Sequence, residues 1–226
     1  MKTSESKELY DELMHRMKSE EHPTMAVAMS KYMRDLFPFF GVNSPMRKQI
    51  VKDFIADIGK PSIDDIPGLF ELLWETPQRE AQYLVRDLGE KYLKNSSPSW
   101  FPMYESFISR KSWWDTIDFV VPALMYPILS EDQDLRYEAS ERWNQSDNLW
   151  LVRASLIYQL KFKEKIDFEQ LKRFILNHAE SKEFFVQKAA AWALRQHAYL
   201  DSQAVIDFVQ STNLPSLTKR EALKHV

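Results

Sequence analysis

The sequence SKEFFVQKAAAWALRQHA, residues 181–198, decides the fold class of this chain. Its apolar residues recur at intervals of three and four, which is the period of one face of an α-helix. They are Val186, Ala190, Ala193 and Leu194. Trp192 lies on the opposite face, beside Lys188 and Arg195. The segment therefore predicts a helix near 182–198 that packs its apolar face into a core and turns a tryptophan outward.

Two interpretations of Trp192 are open. A tryptophan flanked by two cations on a polar face is suited to contact with a ligand or with nucleic acid. Alternatively, its ring lies flat on the surface beneath the long side chains of its neighbours.

The helical period runs along the whole chain. Only four glycines are present, and no segment alternates apolar and polar residues over the length of a strand, so strands and tight hairpins are not expected. The chain is therefore predicted to be all-α. The predicted helices lie near 4–20, 24–37, 45–58, 63–75, 77–94, 98–110, 113–128, 132–144, 147–162, 167–178, 182–198, 202–210 and 216–226.

Capping residues and prolines predict where several helices begin or break. The predicted caps are Ser44 before Pro45, Thr76 before Pro77, Ser112 with Asp115, and Thr218 with Glu221. Pro122 and Pro127 lie inside the predicted helix 113–128 and are expected to break it into pieces.

Pairs of these helices recur at roughly 35–40 residues, the spacing of HEAT-like repeats. Such repeats stack into a curved α-solenoid with a concave face for a partner. Here they would form one domain over residues 1–226. An ordinary helical globule fits the same periodicity.

Composition excludes several classes of function. The chain has 226 residues and no cysteine, which excludes disulfides, thiol chemistry and thiolate metal sites. No apolar run approaches the roughly 18 residues that span a bilayer. The N-terminal MKTSESKELYDEL lacks the apolar core of a signal peptide, which predicts a cytoplasmic protein. The histidines lack metal-binding spacing, and the chain has neither a glycine-rich phosphate loop nor a G-x-S-x-G motif.

Charge is distributed unevenly along the chain. The formal net charge of −3 argues at first sight against a nucleic-acid-binding protein. However, residues 151–226 hold 12 Lys and Arg against 8 Asp and Glu, a net charge of +4, while residues 1–150 are acidic. This basic segment is either an ordinary solvated surface or part of a binding face.

Asp118 interrupts an apolar stripe. On a helix, Trp114, Val121 and Met125 share its face, and burial of a carboxylate without a partner is costly. Asp115 has a structural explanation as the second residue of a capping box, but Asp118 lies a turn deeper. We expect either that an arginine pairs with Asp118 or that the carboxylate has a function.

Arg153 is the complementary case, because its helical face also carries Trp150, Leu156 and Leu160. The structural interpretation is an Arg–Asp ion pair that joins two helices, with Asp118 as a candidate partner. Tyr32 shares a stripe with apolar residues and, taken alone, is expected in the core.

Five segments together resemble the AlkD-type DNA glycosylases of alkylation repair, nearly end to end. They are SKYMRDLFPFFGVNSPMRK (30–48), KSWWDTID (111–118), SDNLWLVRASLIYQLKFKEK (146–165), SKEFFVQKAAAWALRQHA (181–198) and LTKREALKH (217–225). The resemblance implies tandem HEAT-like repeats curved around duplex DNA. It also implies cleavage of the N-glycosidic bond of purines alkylated at ring nitrogens, such as 3-methyladenine and 7-methylguanine.

The resemblance also assigns roles to individual residues. The catalytic aspartate of the family falls on Asp118, and its two cleft tryptophans fall on Trp114 and Trp192. The arginine near the lesion backbone falls on Arg153, and the N-terminal cleft tyrosine on Tyr32. The other residues expected to bind DNA are Arg47, Lys188, Arg195, Lys219 and Arg220.

The resemblance further implies a mechanism. The alkylated base is cationic and leaves as a neutral molecule, while an oxocarbenium-like charge develops on the deoxyribose. Asp118 would stabilise that charge or orient the attacking water, and Arg153 would hold a phosphate. Neither a metal, a cofactor nor a base-binding pocket is implied, and a clamp of this kind would act as a monomer.

Two features depart from the family pattern. The net charge is low for a DNA-binding relative, and no basic tail follows the KREALKH motif, so affinity is expected to be weaker or more sensitive to salt. The alternative function is a catalytically inert HEAT-like module that binds nucleic acid or protein.

Overall fold

The structure is a computed structural model that describes the backbone of residues 2–224 and the side chains from residue 5 onward. Within this range the regular structure is entirely helical, which confirms the all-α class. The α-helices are α1 (Lys2–Ser19), α2 (Pro23–Tyr32), α3 (Ser44–Ile58), α4 (Ile66–Glu75), α5 (Arg79–Gly89), α6 (Phe101–Ser109), α7 (Trp114–Phe119), α8 (Tyr126–Glu131), α9 (Gln133–Asn144), α10 (Leu149–Ile157), α11 (Phe168–Asn177), α12 (Phe184–Ala198), α13 (Ser202–Ser211) and α14 (Ser216–Ala222). Short 3-10 helices occupy Leu93–Asn95, Pro98–Trp100, Tyr158–Lys161 and Lys163–Lys165.

The chain forms two compact units, Met1–Met103 and Tyr104–Val226. In the N-terminal unit, α1 packs against α3 and α4, and α5 packs against the same two helices. In the C-terminal unit, α10 packs against α9 and α12, and α12 packs against α14. Each unit therefore consists of neighbouring helices packed side by side, which is compatible with the helical repeats of an α-solenoid.

Each unit buries its own apolar core. The N-terminal core includes Leu13, Met17, Phe54, Phe70 and Trp74, and the C-terminal core includes Phe107, Ile117, Trp143, Phe174 and Leu194. Among the described residues, no helix is both long and apolar enough to cross a bilayer.

The predicted helix 113–128 is broken, as the two prolines indicated. It divides into α7, a π-helical turn at Val120–Leu124 and α8. The amide of Met125 donates to the carbonyl of Val120. This hydrogen bond joins residues five positions apart, which defines a π-helical turn. All five residues of the turn are buried, and Pro127 lies in the first turn of α8. The break ends α7 one residue after Asp118.

All four predicted caps are wrong. Asn43 rather than Ser44 caps α3, and Thr76 lies at the C-terminus of α4, where its hydroxyl donates to the carbonyl of Leu72. Ser112 donates to the carbonyl of Ile108 in the preceding helix, and Thr218 lies inside α14 and donates to that of Gln187. The predicted capping box of Ser112 and Asp115 is therefore not formed.

Several helices end earlier than predicted. The predicted helix 24–37 ends at Tyr32, because Arg34 and Asp35 both adopt left-handed backbone angles (φ 58° and 57°). The predicted helix 216–226 ends at Ala222, and its last two residues lie outside the described part of the chain.

A buried carboxylate holds the loop between α2 and α3. Glu80 accepts hydrogen bonds from the backbone amides of Phe40, Gly41 and Val42, at 3.0, 2.8 and 3.1 Å. Gly41 has φ +89°, and a Cβ atom there would lie 2.2 Å from the carbonyl oxygen of His22, so only glycine fits. The first turn of α5 thereby fixes the loop that follows Tyr32.

Candidate active site

A pocket of about 290 Å³ opens in the C-terminal unit, between α7, α10 and α12. Its lining residues are Trp114, Asp118, Arg153, Phe184, Phe185, Lys188, Trp192 and Arg195. The pocket therefore brings together the three predicted catalytic residues and three of the predicted DNA-binding residues. They come from helices that are far apart in sequence.

Asp118 and Arg153 form a bidentate ion pair in this pocket. Arg153 Nε donates to Asp118 Oδ1 at 2.9 Å, and Arg153 Nη2 donates to Oδ1 and Oδ2 at 2.7 and 2.9 Å. The remaining nitrogen, Nη1, donates to the carbonyl of Phe185 at 2.7 Å. The side chain of Asp118 keeps 22% of its surface exposed, whereas that of Arg153 keeps 6%.

This geometry bears on the role of Arg153. All three of its side-chain nitrogens donate to protein acceptors, so it does not present a free guanidinium to a DNA phosphate. The ion pair with Asp118 that the sequence left open is therefore formed. Its bidentate arrangement is that of an ionised carboxylate and fixes the orientation of the Asp118 oxygens.

Burial, Arg153 and Asp115 all shift the pKa of Asp118. Burial raises this pKa above its ordinary value, because the charged carboxylate is removed from water. The Arg153 guanidinium opposes the rise, by its charge and by its hydrogen bonds, while the negative charge of Asp115 adds to it. A carboxylate whose ionisation depends on one arginine is typical of functional sites, although structural ion pairs behave in the same way.

Aromatic rings form the walls of the pocket. Trp114 is the first residue of α7, and Trp192 is half-buried on α12, so its ring lines a cavity rather than lying flat on an open surface. Phe184 is 53% exposed. Phe185 packs against Trp113 and Trp150, with ring centroids 5.0 and 5.1 Å apart.

Sequence reasoning missed the two phenylalanines. Phe184 precedes Lys188 by four residues and Trp192 by eight, so it belongs to the same helical stripe. That spacing could have placed Phe184 beside Trp192 from the sequence. A pair of aromatic residues at the start of a helix is, however, ordinarily taken as core.

A glutamate ties the cations at one side of the pocket to α14. Lys188 Nζ donates to Glu221 Oε2 at 2.8 Å, and Arg195 Nη1 donates to the backbone carbonyl of Glu221 at 2.7 Å. Arg220 approaches the same carboxylate at 3.4 Å and stays exposed, and Lys219 is half-buried beside it in α14. The pKa of Glu221 is lowered, chiefly by the hydrogen bond from Lys188.

Two of the predicted DNA-binding residues lie in the N-terminal unit. Tyr32, at the end of α2, is 71% exposed, so the interpretation that places it in the core is wrong. Arg47 is buried on α3, and its Nε donates to Asp87 at 2.5 Å. This ion pair gives Arg47 a structural role, and its predicted contact with DNA has no support in the geometry.

No cluster of three or more His, Asp or Glu side chains suited to a metal ion occurs in the described part of the chain.

Comparison with known proteins gives the class of this chain. The profile of the family described as "DNA alkylation repair enzyme" matches residues 13–226, so the chain belongs to that family. Membership implies DNA as the partner. A solved structure described as "Predicted DNA alkylation repair enzyme from Enterococcus faecalis" is 26% identical and superposes with a TM-score of 0.82. The match covers 91% of this chain and 96% of that chain. No curated protein matches the sequence.

Proposed function

We propose that this protein is a monofunctional DNA glycosylase, acting as a cytoplasmic monomer on duplex DNA. It hydrolyses the N-glycosidic bond of cationic N3- and N7-alkylated purines, such as 3-methyladenine and 7-methylguanine. The observation that carries the proposal is the Asp118 carboxylate, held by Arg153 in a pocket walled by Trp114 and Trp192. Because burial of such a pair costs free energy, a purely structural pair is the weaker explanation.

The substrate class follows from the charge of the lesion. Alkylation at N3 or N7 makes the purine cationic, so the base leaves as a neutral molecule with the electrons of the glycosidic bond. Water then adds to C1′ of the deoxyribose and releases one proton. Because the leaving group needs no protonation, the pocket requires no strong general acid.

Asp118 acts on the positive charge that develops on the sugar. Coulomb attraction strengthens where water is excluded, so a fixed carboxylate stabilises the oxocarbenium-like transition state more than a solvated one does. Arg153 is a positioning residue in this proposal, because it fixes the two carboxylate oxygens and reduces the rise in the pKa of Asp118. The exposed fifth of the Asp118 side chain leaves room for the sugar or for the attacking water.

The aromatic walls favour a cationic ligand. Trp114 and Trp192 offer π faces to the charged sugar and base, and each such contact contributes roughly 0.5–2 kcal/mol. None of the described residues that line the pocket is Asn, Gln, Ser or Thr, the uncharged side chains that hydrogen-bond to base edges. This lining is compatible with selection of the substrate by its charge and by the lability of its glycosidic bond.

The test is release of 7-methylguanine from methylated duplex DNA by wild type and by Asp118→Asn. We expect release by wild type above background. The variant should lose about 10²–10³-fold in single-turnover rate, because the amide cannot stabilise the transition-state charge. Duplex affinity should be retained, and Asp115→Asn is the matched control on the same helix.

The alternative is a catalytically inert HEAT-like module that binds nucleic acid or protein. Absence of release by wild type would favour that alternative, and retained duplex binding would identify nucleic acid as the partner. Equal rates for wild type and Asp118→Asn would instead reject the role given to the carboxylate.

A further inference from the structure

A second concave site lies within the N-terminal unit, between α3 and α5. It encloses about 500 Å³. Its lining residues are Lys48, Val51, Lys52, Ile55, Lys60, Asp87, Glu90 and Lys91. Half of these residues are lysines, which concentrates positive charge in a half of the chain that is acidic overall.

Both carboxylates of this site are neutralised by arginines. Asp87 accepts from Arg47 Nε at 2.5 Å, and Glu90 accepts from Arg86 Nε at 3.1 Å. By contrast, Lys48, Lys52 and Lys91 form no ion pair with any residue that the structure describes. The electrostatic potential inside the pocket is therefore positive and is set by its lysines.

The lysines are arranged around an apolar floor. Lys48 and Lys52 lie one turn apart on α3, and Val51 and Ile55 continue the same helical stripe below them. Across the pocket, Lys60 Nζ donates to the carbonyl of Lys91 at 2.8 Å and lies 4.1 Å from the centre of the Tyr92 ring. These contacts fix the position of the Lys60 ammonium group.

We propose that this lysine pocket binds the phosphodiester backbone of duplex DNA. A cluster of unpaired lysines in a concave surface attracts the phosphates of a polyanion, and lysine contacts a phosphate as a point charge without reading sequence. The pocket would give the N-terminal unit a DNA contact outside the buried Arg47–Asp87 ion pair. The proposal rests on the proposed DNA binding but is independent of base release.

The test uses undamaged duplex, so that it does not depend on catalysis. We expect Lys48→Gln/Lys52→Gln to weaken binding and to lower the slope of log Kd against log salt by about 2, since each neutralised phosphate contributes about 0.9. Single-turnover release of 7-methylguanine at saturating DNA should be unchanged. Lys18→Gln/Lys94→Gln removes the same charge from exposed lysines of the same unit that do not line the pocket.

An equal change of slope in the two double variants would overturn the proposal, since only overall charge would then matter. Acetylation of lysines, followed by mass spectrometry, separates a DNA site from a site for small phosphates. Duplex DNA should protect Lys48, Lys52 and Lys91, whereas pyrophosphate at the same phosphate concentration should not. Equal protection by pyrophosphate would overturn the assignment to the DNA backbone.

Discussion

Arg153 joins two functions at the scale of a single residue. Its guanidinium neutralises the Asp118 carboxylate and also donates to the backbone of Phe185, in the first turn of α12. The charge of the site and the position of the helix that carries Trp192 therefore depend on the same side chain. Removal of the side chain would leave a partly buried carboxylate without its counter-charge.

This dependence predicts a shift in the pH profile of Arg153→Met. Burial raises the pKa of Asp118 and Arg153 lowers it, so loss of the arginine should raise the pKa further. In the proposed mechanism the ionised carboxylate is the active form, so the single-turnover rate should then begin to fall at a higher pH as pH decreases. The rate should be measured against pH, with Arg153→Lys as the charge-retaining control.

The same variant should lose about 3–5 kcal/mol of stability if it folds with the carboxylate unpaired. An unchanged pH profile combined with weaker DNA binding would show instead that Arg153 contacts a phosphate. Urea unfolding near neutral pH measures the stability loss independently of activity.

At the scale of elements, Glu80 in the first turn of α5 anchors the loop between α2 and α3. Glu80 satisfies three buried amides of residues 40–42, although burial raises the pKa of its carboxyl. The three amide bonds oppose that rise, since they favour the charged form.

Glu80→Ala should therefore destabilise the protein by about 3–5 kcal/mol, because three buried amides lose their acceptor. Glu90→Ala, at the opposite end of α5, is the control, and loss of its exposed pair with Arg86 should cost less than about 1 kcal/mol. Denaturant unfolding measures both variants. Similar losses for the two would contradict the anchoring role of Glu80.

The contact between α12 and α14 also sets the charge available to DNA. Glu221 accepts a hydrogen bond from Lys188 and would therefore compete with a DNA phosphate for that lysine. We expect Glu221→Gln to bind duplex DNA more tightly and with a salt slope steeper by about 1. Glu169→Gln, an exposed residue of the same unit that pairs with Lys172, removes the same charge as a control. Weaker binding by Glu221→Gln would mean that the glutamate holds Lys188 in position for DNA.

Apart from that of Tyr32, the helix faces that carry the candidate site were predictable from sequence, whereas the capping residues were not. Asp118, Arg153 and Trp192 each break a 3.6-residue pattern, which is a local property, and all three line one pocket. The predictions of capping residues were wrong because a cap depends on the backbone angles of one residue. A serine such as Ser112 can instead donate a hydrogen bond to the preceding helix. The lysine pocket was missed because its field depends on ion pairs such as Arg47–Asp87, which join residues 40 positions apart.

At the scale of the whole molecule, a net charge of −3 is compatible with DNA binding because charge is concentrated locally. Each unit carries a site with cations around it, the lysine pocket in one and the Asp118 pocket in the other. The acidic residues of the chain either lie outside these two pockets or, where they line them, form ion pairs with arginines. The whole-chain charge therefore predicts neither the place nor the existence of a binding surface.

If both proposed sites bind DNA, bound DNA should slow amide hydrogen exchange in both units. On addition of undamaged duplex, amides of α3 and α12 should exchange more slowly, because bound DNA suppresses local opening of the helices that it contacts. Helices α4 and α11, which line neither pocket, serve as internal controls. Protection confined to the C-terminal unit would contradict a DNA contact in residues 1–103.

The Asp118–Arg153 pair also constrains how relatives of this chain can diverge. The two residues are 35 positions apart, yet each is the partner that makes burial of the other tolerable. A lineage that lost only one of them would keep an uncompensated charge inside the protein. Homologous sequences should therefore retain or replace the two together, and a paralogue that has abandoned catalysis should carry uncharged residues at both positions.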